Sequence, residues 1–343
     1  MKALVLKEYN KFSYEDVPMP EVKDDEVLIK VMAASICGSD VHGMDGSTGR
    51  RVPPIIMGHE ASGIVYGLGK DVKGFEIGDR VAVQSLLQCG KCEACMEGKY
   101  NLCENRLVLG VSCDELYKNG TYAEYATVRA IAVHKLPEGL DFIKASMVEP
   151  LSIAYHAVSL IDIDIKKPVL VLGTGTIGIF AVQVLNAMGC ENIIAADRND
   201  NKLEIAKKSG AKETVNIKDK SLKEEISRLT GKKGVFAAFD AIGNSFSVNE
   251  CIDNVKKGGS VVLIGNAVPK VDFPLQKVVA NEISLFGSNN SSDEFPECLS
   301  LMTGGKVDVS LVLSKVAPLS EGGQWFGRLY NKEKGLIKVV LIP

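Results

Sequence analysis

The stretch Val169–Leu185 reads VLVLGTGTIGIFAVQVL and combines three features. Four apolar residues come first, in the pattern of a strand that is buried on both faces of a sheet. Gly173, Gly175 and Gly178 follow with the spacing G-x-G-x-x-G, and the apolar residues after them recur with helical period. The stretch therefore predicts a buried strand, a tight glycine turn and a helix in succession.

The glycine turn predicts a dinucleotide site because it stands between a strand and a helix. The first glycine permits the turn, the second lets the backbone approach a pyrophosphate at the helix N-terminus, and the third lets the helix pack closely. The alternative is that the glycines serve only this close packing. The predicted cofactor-binding residues are Gly173, Thr174, Gly175, Thr176, Ile177, Gly178, Asp197 and Arg198.

The acidic residue after the next strand favours NAD over NADP. The strand NIIAAD ends at Asp197, nineteen residues after Gly178. A carboxylate there accepts the hydroxyls of the adenosine ribose and repels a 2′-phosphate. The neighbouring Arg198 keeps NADP as an alternative, because an arginine beside that acid can stack on adenine or attract a phosphate.

The segments on either side of the glycine turn differ in their patterns. From Pro168 onward, strand-like runs alternate with helical segments, which predicts a parallel, doubly wound sheet. Residues 1–150 carry short β-rich runs broken by Gly and Pro, which predict a partly closed antiparallel barrel or sandwich. The tail after Ser288 is too short to be a domain and is expected to pack on one of the other two. The β-rich runs of residues 1–150 are ALVL, EVLIKVMAAS, ASGIVYGLG, DRVAVQSLL, YAEYATV and IAVHKL.

Composition limits the classes of function. A chain of 343 residues suits two domains of ordinary size. The net charge of −3 gives no basic field for nucleic acid or an anionic membrane surface. No run of about 18 apolar residues predicts a membrane helix, and the start lacks the apolar core of a signal peptide. We therefore expect a cytoplasmic protein, and the odd count of nine cysteines agrees with reduced thiols.

Four cysteines fall within CGKCEACMEGKYNLC, at Cys89, Cys92, Cys95 and Cys103. Four thiolates gathered by one loop match tetrahedral zinc coordination, which leaves no open position for a substrate. A 4Fe–4S cluster is the rival reading, because ferredoxin motifs also begin C-x2-C-x2-C. Those motifs continue C-x3-C-P, whereas here the fourth cysteine follows eight residues after the third. The spacing thus favours a structural zinc ion.

Three further stretches contain metal-ligand residue types: SICGSDVHG, IMGHEASG and MVEPLSIAYHA. A catalytic zinc site needs three protein ligands and an open position, and Cys, His and Glu are all suitable. Each residue taken alone also has an ordinary structural explanation, and the spacing does not decide between them. The candidates are Cys37, Ser39, Asp40, His42, His59, Glu60, Glu149 and His156.

Taken together, CGSD-x-H, GHE, the four-cysteine loop and the glycine turn resemble the zinc-containing medium-chain alcohol dehydrogenase family, over essentially the whole chain. The stretches CGSDVH and VEPLS resemble its polyol branch, which includes sorbitol and galactitol-1-phosphate dehydrogenases. The resemblance implies an α/β fold with a GroES-like β-rich catalytic domain, residues 1–151 and 288–343. Residues 152–287 would form the Rossmann doubly wound parallel-sheet domain that binds NAD.

The resemblance also implies a ligand set for a catalytic zinc ion, in addition to the structural one. Cys37 and His59 would bind it directly. Glu149 would be the carboxylate ligand, direct or through water, and Glu60 an alternative or transient ligand beside His59. A carboxylate in place of a thiolate makes the zinc more oxygen-seeking, which suits a polyol.

Two more roles follow from the resemblance. Ser39 matches the hydroxyl that takes the substrate proton, and His42 matches the histidine that relays this proton towards solvent. A purely structural, hydrogen-bonding His42 is the alternative. Asp40 is expected to be a loop residue or to support a ligand.

The implied activity is hydride transfer from a secondary alcohol of a polyol or polyol phosphate to NAD, giving a ketose. L-Threonine 3-dehydrogenase or 2,3-butanediol dehydrogenase is the alternative within the family, and a non-enzymatic dinucleotide-binding protein is the alternative outside it. By analogy we expect a homodimer or homotetramer. Arg50 and Arg51 either bind a phosphate or carboxylate of the substrate or belong to a charged surface loop. The insert CDELYKN makes the exact substrate uncertain.

Overall fold

A computed structural model describes residues 1–113 and 116–343 of the chain. These residues divide into two compact units, each made of discontinuous segments. The first unit comprises Met1–Glu149, Ser291–Thr303 and Leu313–Pro343. The second comprises Pro150–Asn290 and Gly304–Val312. Across the described ranges, we find no helix with the length and apolar character that crossing a membrane requires.

The segment before residue 150 forms mostly short antiparallel strands. The strands are β1 (Lys2–Glu8), β2 (Lys11–Asp16), β3 (Glu26–Ser35), β4 (Ile55–Ile56), β5 (Glu60–Leu68), β6 (Arg80–Val83), β7 (Leu86–Leu87), β8 (Leu107–Val108), β9 (Val111–Cys113), β10 (Leu116–Lys118), β11 (Tyr125–Arg129) and β12 (Val133–Lys135). The helices are α1 (Gly38–Gly43), α2 (Glu93–Met96), α3 (Phe142–Ala145) and α4 (Val148–Ser159), with single 3-10 turns at Tyr100–Leu102 and Ala130–Ala132.

The second unit alternates strands and helices. The strands are β13 (Val169–Leu172), β14 (Ile193–Asp197), β15 (Glu213–Asn216), β16 (Val235–Asp240), β17 (Val255–Leu263) and β18 (Ser284–Gly287). The helices are α5 (Thr176–Ala187), α6 (Asp200–Lys208), α7 (Leu222–Thr230), α8 (Ser245–Asn254) and α9 (Leu275–Ala280). The sheet is parallel throughout in the order β15-β14-β13-β16-β17-β18, which is the order of a doubly wound dinucleotide-binding fold.

Most of the tail belongs to the first unit and completes its main sheet, whereas Gly304–Val312 belongs to the second unit. The tail contains α10 (Phe295–Thr303), β19 (Leu313–Pro318), α11 (Gly322–Tyr330) and β20 (Lys338–Ile342), with 3-10 turns at Val309–Val312 and Leu319–Glu321. Strand β20 pairs with β3, Val340 opposite Ser35 and Leu341 opposite Ala34. The resulting sheet runs β12-β6-β5-β3-β20-β19, and β11 also pairs with β3. The tail therefore packs as the sequence predicts, through its last strand.

Burial explains why these segments form these elements. All four residues of β13 are buried, as the continuous apolar run predicts for a central parallel strand. In the first unit, the apolar side chains of β1, β3, β5 and β6 form one core with Tyr122 and Phe326. An antiparallel, β-rich unit beside a parallel, doubly wound one confirms the predicted α/β fold class.

Helix α8 ends at Asn254, and the residues that follow, VKKG at 255–258, open β17 directly. Val255 adopts an extended conformation, and Gly258 has a φ of +66° that a helix does not accept. The charged residues of VKKG thus lie at the exposed start of a strand.

The insert CDELYKN lies partly outside the described residues, because these exclude Asp114 and Glu115. The strands on either side of this gap, β9 and β10, pair antiparallel, with Tyr117 opposite Ser112. Asn119, at the end of the insert, accepts a hydrogen bond from the backbone of Ile56 at 3.2 Å. The ends of the insert are therefore fixed to the first unit.

Candidate metal centres and cofactor site

The four predicted cysteines come together in one group, in which all four sulfur atoms lie within 4.8 Å of one another. Cys95 and Cys103 are buried, whereas Cys89 and Cys92 are half-buried. The short helix α2 begins directly after Cys92, and its turn brings the sulfur of Cys92 to 3.5 Å from that of Cys95. Local helix geometry thus assembles most of this centre.

The protonation of these thiols fits a bound cation. Backbone N–H groups of Lys91 and Cys92 bond to the sulfur of Cys89 and lower the pKa of that thiol to about 6. Burial instead raises the pKa of Cys95 to about 12. Cys95 can therefore be a thiolate at neutral pH only beside a strong positive charge. The set matches the donors of a closed, tetrahedral zinc site.

The four-cysteine loop is fastened to the rest of the first unit by residues that follow the second unit in the sequence. The hydroxyl of Ser292 donates to the carbonyl of Gly98 at 2.8 Å and accepts from the N–H of Tyr100 at 2.9 Å. Gln84 donates to the carbonyl of Ser292 at 2.9 Å, and its side-chain oxygen lies 3.4 Å from Nε2 of His134. The loop is thus held by hydrogen bonds on one side.

A second group, called the Cys37 group below, joins Cys37, His59 and Glu60. Their candidate ligand atoms also lie within 4.8 Å of one another. Cys37 is the N-cap of α1, and its sulfur accepts from the N–H of Ser39. His59 and Glu60 stand where the chain enters β5. The preceding Gly58 has a φ of +98°, and a Cβ there would press on the ring of Tyr122. The glycine of GHE thus permits the turn that aims His59.

A buried network surrounds the imidazole of His59. Its Nδ1 lies 3.5 Å from a carboxylate oxygen of Asp40, and Nδ1 has no hydrogen-bond partner among the described residues. The carboxylate of Asp40 is therefore a charged neighbour of Nδ1 and not its hydrogen-bond acceptor. Asp40 is fully buried and also contacts Arg51 at 2.7 Å and the hydroxyl of Tyr122 at 2.9 Å. Burial would raise the pKa of Asp40, but His59 and Arg51 beside it hold that pKa below its usual range.

Glu60 is fixed by a buried lysine that the sequence analysis does not single out. The ammonium group of Lys338 lies 2.9 and 2.7 Å from the two carboxylate oxygens of Glu60 and 3.1 Å from the carbonyl of Ile36. Lys338 is 2% exposed, and Ser35 also donates to Glu60. Burial would lower the pKa of Lys338, but the charge of Glu60 raises it above its ordinary value. The side chain of Glu60 is thus fixed in position by buried partners.

Glu149 lies buried near this group but is not among the three residues that lie closest together. Burial raises its pKa to about 7, His59 and a hydrogen bond from Ser85 lower it, and the charge of Glu60 raises it further. The carboxylate therefore lies within electrostatic reach of both His59 and Glu60.

The charges around His59 also fit a bound cation. Burial alone would lower the pKa of His59, but Asp40, Cys37 and Glu149 raise it to about 10. Such a shift shows how strongly this group of anionic side chains favours a positive charge in its midst. Sulfur, imidazole and carboxylate are together the donor types of a catalytic zinc site.

The two predicted proton-transfer residues are exposed and lie on α1, three positions apart. The hydroxyl of Ser39 donates to the sulfur of Cys37 at 3.2 Å and accepts from Arg51 at 3.4 Å. His42 follows one helical turn later, so both side chains occupy the same face. Arg51, considered as a substrate-binding residue, is only 4% exposed and bonds to Asp40, whereas Arg50 is exposed.

The glycine turn of the second unit has the predicted geometry. Gly173 has a φ of +92°, and a Cβ on Gly178 would overlap the carbonyl oxygen of Gly173. Gly175 is the N-cap of α5, and no side chain in the described ranges caps this end. Its free N–H groups and positive dipole end therefore fit a pyrophosphate, as at other helix N-termini.

The acidic residue at the end of β14 is tied to the glycine turn. Asp197 accepts from the N–H of Thr174 at 2.7 Å and from the N–H groups of Arg198 and Asn199 at 2.7 and 3.0 Å. Thr176 and Ile177 form the first turn of α5, and the side chain of Arg198 is exposed. These contacts place the carboxylate beside the turn that follows β13.

Sequence reasoning missed several residues of the first-unit group. Lys338 carries the clearest signal, because a lysine inside the apolar run LIKVVLI is either at an exposed edge or paired in the interior. Tyr122, Ser35 and Ser85 carry none, since their hydrogen bonds depend on the tertiary fold.

Comparison with known proteins gives matches along the whole chain. The Alcohol dehydrogenase GroES-like domain model matches residues 23–138, and the Zinc-binding dehydrogenase model matches residues 176–304. Sorbitol dehydrogenase of Bacillus subtilis is 32% identical over 350 residues, covering 100% of this chain and 97% of that protein. D-arabitol-phosphate dehydrogenase of Enterococcus avium is 31% identical, covering 97% and 94%. The crystal structure of galactitol-1-phosphate dehydrogenase from Escherichia coli aligns with a TM-score of 0.92 at 27% identity, covering 100% of both chains.

Proposed function

Because this chain belongs to the zinc-binding dehydrogenase family, with an alcohol dehydrogenase GroES-like domain, we propose that it is an NAD-dependent polyol or polyol-phosphate dehydrogenase. It oxidises a secondary alcohol of the polyol to a ketose. The observation that carries the proposal is the group of half-buried Cys37 with buried His59 and Glu60, which offers zinc ligands beside the hydroxyl of Ser39. The similarity to dehydrogenases named for sorbitol and D-arabitol phosphate supports the substrate class.

Two zinc ions per chain belong to this proposal. Cys89, Cys92, Cys95 and Cys103 hold the structural ion. Cys37 and His59 hold the catalytic ion, with a carboxylate from Glu149 as the resident ligand. The ion pair with Lys338 supports this choice, because it occupies both oxygens of Glu60 and leaves that residue the transient ligand.

The reaction divides its work between bound groups and this chain's residues. Zinc would supply Lewis acidity towards the substrate hydroxyl, and NAD would supply the hydride acceptor. The Oγ atom of Ser39 accepts the proton that the substrate hydroxyl loses while Ser39 gives up its own hydroxyl proton, and the exposure of Ser39 gives this released proton a route outward. His42, on the same face of α1, passes the proton to solvent.

The cofactor residues are proposed as a set in the second unit. The N–H groups at the start of α5 bind the pyrophosphate, and Gly173, Gly175 and Gly178 let it approach. Asp197 binds the adenosine ribose, which favours NAD, and Arg198 stacks beside it. Thr174, Thr176 and Ile177 complete the turn.

The remaining features of the proposal concern organisation. Residues 1–151 and 288–343 form the catalytic domain, and residues 152–287 form the NAD-binding domain. We place its action in the cytoplasm, in line with the odd count of nine cysteines in the chain. By analogy with the family we propose a homodimer or homotetramer.

A substrate panel tests the activity. The purified protein, loaded with zinc, is supplied with sorbitol, xylitol, galactitol-1-phosphate, D-arabitol phosphate, L-threonine or 2,3-butanediol, each with NAD or NADP. We expect reduction of NAD with a sugar alcohol or its phosphate and a ketose as product. A preference for L-threonine or 2,3-butanediol would show that the substrate is that compound and not a polyol or polyol phosphate. The absence of turnover with every alcohol, in protein containing two zinc ions, would overturn the proposal.

A further inference from the structure

The strongest unassigned feature of the first unit is the buried guanidinium group of Arg51. Its Nε donates to Asp40 at 2.8 Å; one Nη lies 2.7 Å from the same carboxylate oxygen as an ion pair and donates to Ser39 at 3.4 Å. We propose that Arg51 is a positioning residue of the metal site: it fixes Asp40 against His59 and fixes the hydroxyl of Ser39, and it does not bind substrate. This inference rests on the proposed function and specifies how its metal site is supported.

The two carboxylate oxygens of Asp40 contact different groups. One oxygen accepts the hydrogen bond from Nε of Arg51 and pairs with its Nη, and the other faces the hydroxyl of Tyr122 and Nδ1 of His59. The carboxylate therefore cannot rotate without breaking a charged contact. Since a metal-binding histidine is oriented by the groups around its ring, Arg51 fixes the charged neighbour of the His59 imidazole through Asp40.

Arg51 also contacts Ser39. Its hydroxyl donates to the sulfur of Cys37, so its lone pairs face the guanidinium group of Arg51. A single arginine thus contacts the proton-accepting hydroxyl and the carboxylate behind a metal ligand. Arginine suits this task better than lysine, because its planar fork holds two directions at once.

The fold makes room for the buried side chain of Arg51. Gly43 lies against Arg51, and a Cβ there would come within 2.6 Å of the Arg51 Cγ. Ser112 holds the backbone on both sides, since its N–H donates to the carbonyl of Arg50 at 3.1 Å and its hydroxyl bonds to Val52. The arginine is therefore built into the unit and is not a loop-tip side chain.

These contacts also argue against substrate binding by Arg51. A substrate phosphate would have to displace the carboxylate of Asp40 from a side chain that is 4% exposed. The displaced carboxylate would remain buried beside Tyr122 without its cation, which is strongly unfavourable.

Conservative substitution of Arg51 tests the proposal. In the zinc-loaded protein, Arg51→Lys keeps the charge but loses the fork. We expect the metal ion bound at Cys37 and His59 to be released to a chelator about 10- to 100-fold faster. This is in line with the loss of other partners of metal-bound histidines. After exchange of that metal for Co²⁺, the visible spectrum should shift, because the imidazole is held differently. With the alcohol found in the panel, kcat should fall while KM changes less than about threefold.

The matched control is Arg129→Lys. Arg129 lies in the same unit, contacts Asp25 at 3.6 Å and donates to the carbonyl of Gln88 at 3.2 Å, outside the Cys37 group. It should leave metal release, the Co²⁺ spectrum and kcat unchanged. If Arg51→Lys does not fold, the paired substitution Arg51→Met with Asp40→Asn removes both charges together, and it should fold yet show the same fast release of metal.

Two results would overturn the proposal. Unchanged metal release and an unchanged Co²⁺ spectrum in Arg51→Lys, or in the paired variant, would show that Arg51 does not position the site. A rise in KM for a phosphorylated polyol alone, with metal release unchanged, would show that Arg51 binds substrate. The metal measurements need no turnover, so a failure of the proposed activity would be seen separately, in the substrate panel.

Discussion

The four-cysteine loop and the Cys37 group are both candidate zinc sites, yet they are built in opposite ways. The loop takes its four sulfur ligands from fifteen consecutive residues, and backbone N–H groups stabilise its thiolates. The Cys37 group takes its candidate ligands from two separate stretches, around Cys37 and around His59 and Glu60, and it depends on two buried cations, Arg51 and Lys338. A closed site needs only a local fold, whereas a reactive site with mixed ligands needs the tertiary structure to hold its charges.

The largest expected effect separates the two sites directly. Cys37→Ser should lower turnover by well over about 100-fold, because loss of a ligand exceeds the 10- to 100-fold effect of losing a ligand's partner. Binding of NAD, measured by fluorescence titration, and the thermal unfolding temperature should change little. The counterpart Cys92→Ser should instead lower the unfolding temperature and the zinc content. If Cys37→Ser turns over normally with both metal ions bound, the assignment of the reactive site is wrong.

The next effect tests the dependence of the Cys37 group on buried cations. Lys338→Met leaves the carboxylate of Glu60 buried without its partner, which should lower the free energy of unfolding by about 3–5 kcal/mol. Trp325, the single tryptophan, lies in the first unit and reports its urea unfolding. Adding Glu60→Gln to Lys338→Met should recover part of the loss. Equal stability of Lys338→Met and the unmodified protein would show that this ion pair is not needed.

A smaller effect concerns the attachment of the four-cysteine loop and depends on pH. Burial lowers the pKa of His134 to about 4 from its ordinary value of 6.5, and its ring stacks on Phe295. Between pH 6.5 and 4 the unfolded chain therefore binds a proton that the folded chain does not. Stability is lost as the pH falls through this window, by about 2–3 kcal/mol after allowance for partial exposure.

The measurement is urea unfolding at pH 7 and pH 4.5, compared between the unmodified protein and His134→Gln. The variant should be less stable at pH 7 but should lose less stability on acidification. The same loss in both proteins would assign the acid sensitivity to other groups.

The smallest effect concerns the hydroxyl that fastens the loop. Ser292→Ala removes the hydrogen bonds to Gly98 and Tyr100, worth about 1 kcal/mol in total because water can replace them in part. Release of the structural metal to a chelator should become about fivefold faster, with turnover unchanged. Ser300→Ala, on the exposed face of α10, serves as the control. A fall in turnover would mean that the loop is not independent of the Cys37 group.

The same comparison explains what the sequence could predict. The glycine turn, the alternating second unit and the four-cysteine spacing are local patterns, and the fold class they predict is confirmed. Arg51 and Lys338 could not be predicted in their present roles. Arg51 stands in a stretch that reads as a charged loop, and only the approach of Asp40 buries it. Lys338 finds its partner 278 residues away. Pairing over such distances depends on the folded chain and leaves no spacing to read.

The placement of Lys338 in β20 has a consequence for the order in which the protein matures during synthesis. Cys103 completes the four-cysteine loop early, so that part of the nascent chain can take up a metal ion while most of the polypeptide is still unmade. The cluster around Glu60 lacks a buried counter-charge until residue 338 has left the ribosome and β20 has paired with β3. Domains that fold as they emerge thus acquire their structural ion first. The Cys37 group therefore gains the counter-charge of Glu60 only after residue 338 has been made.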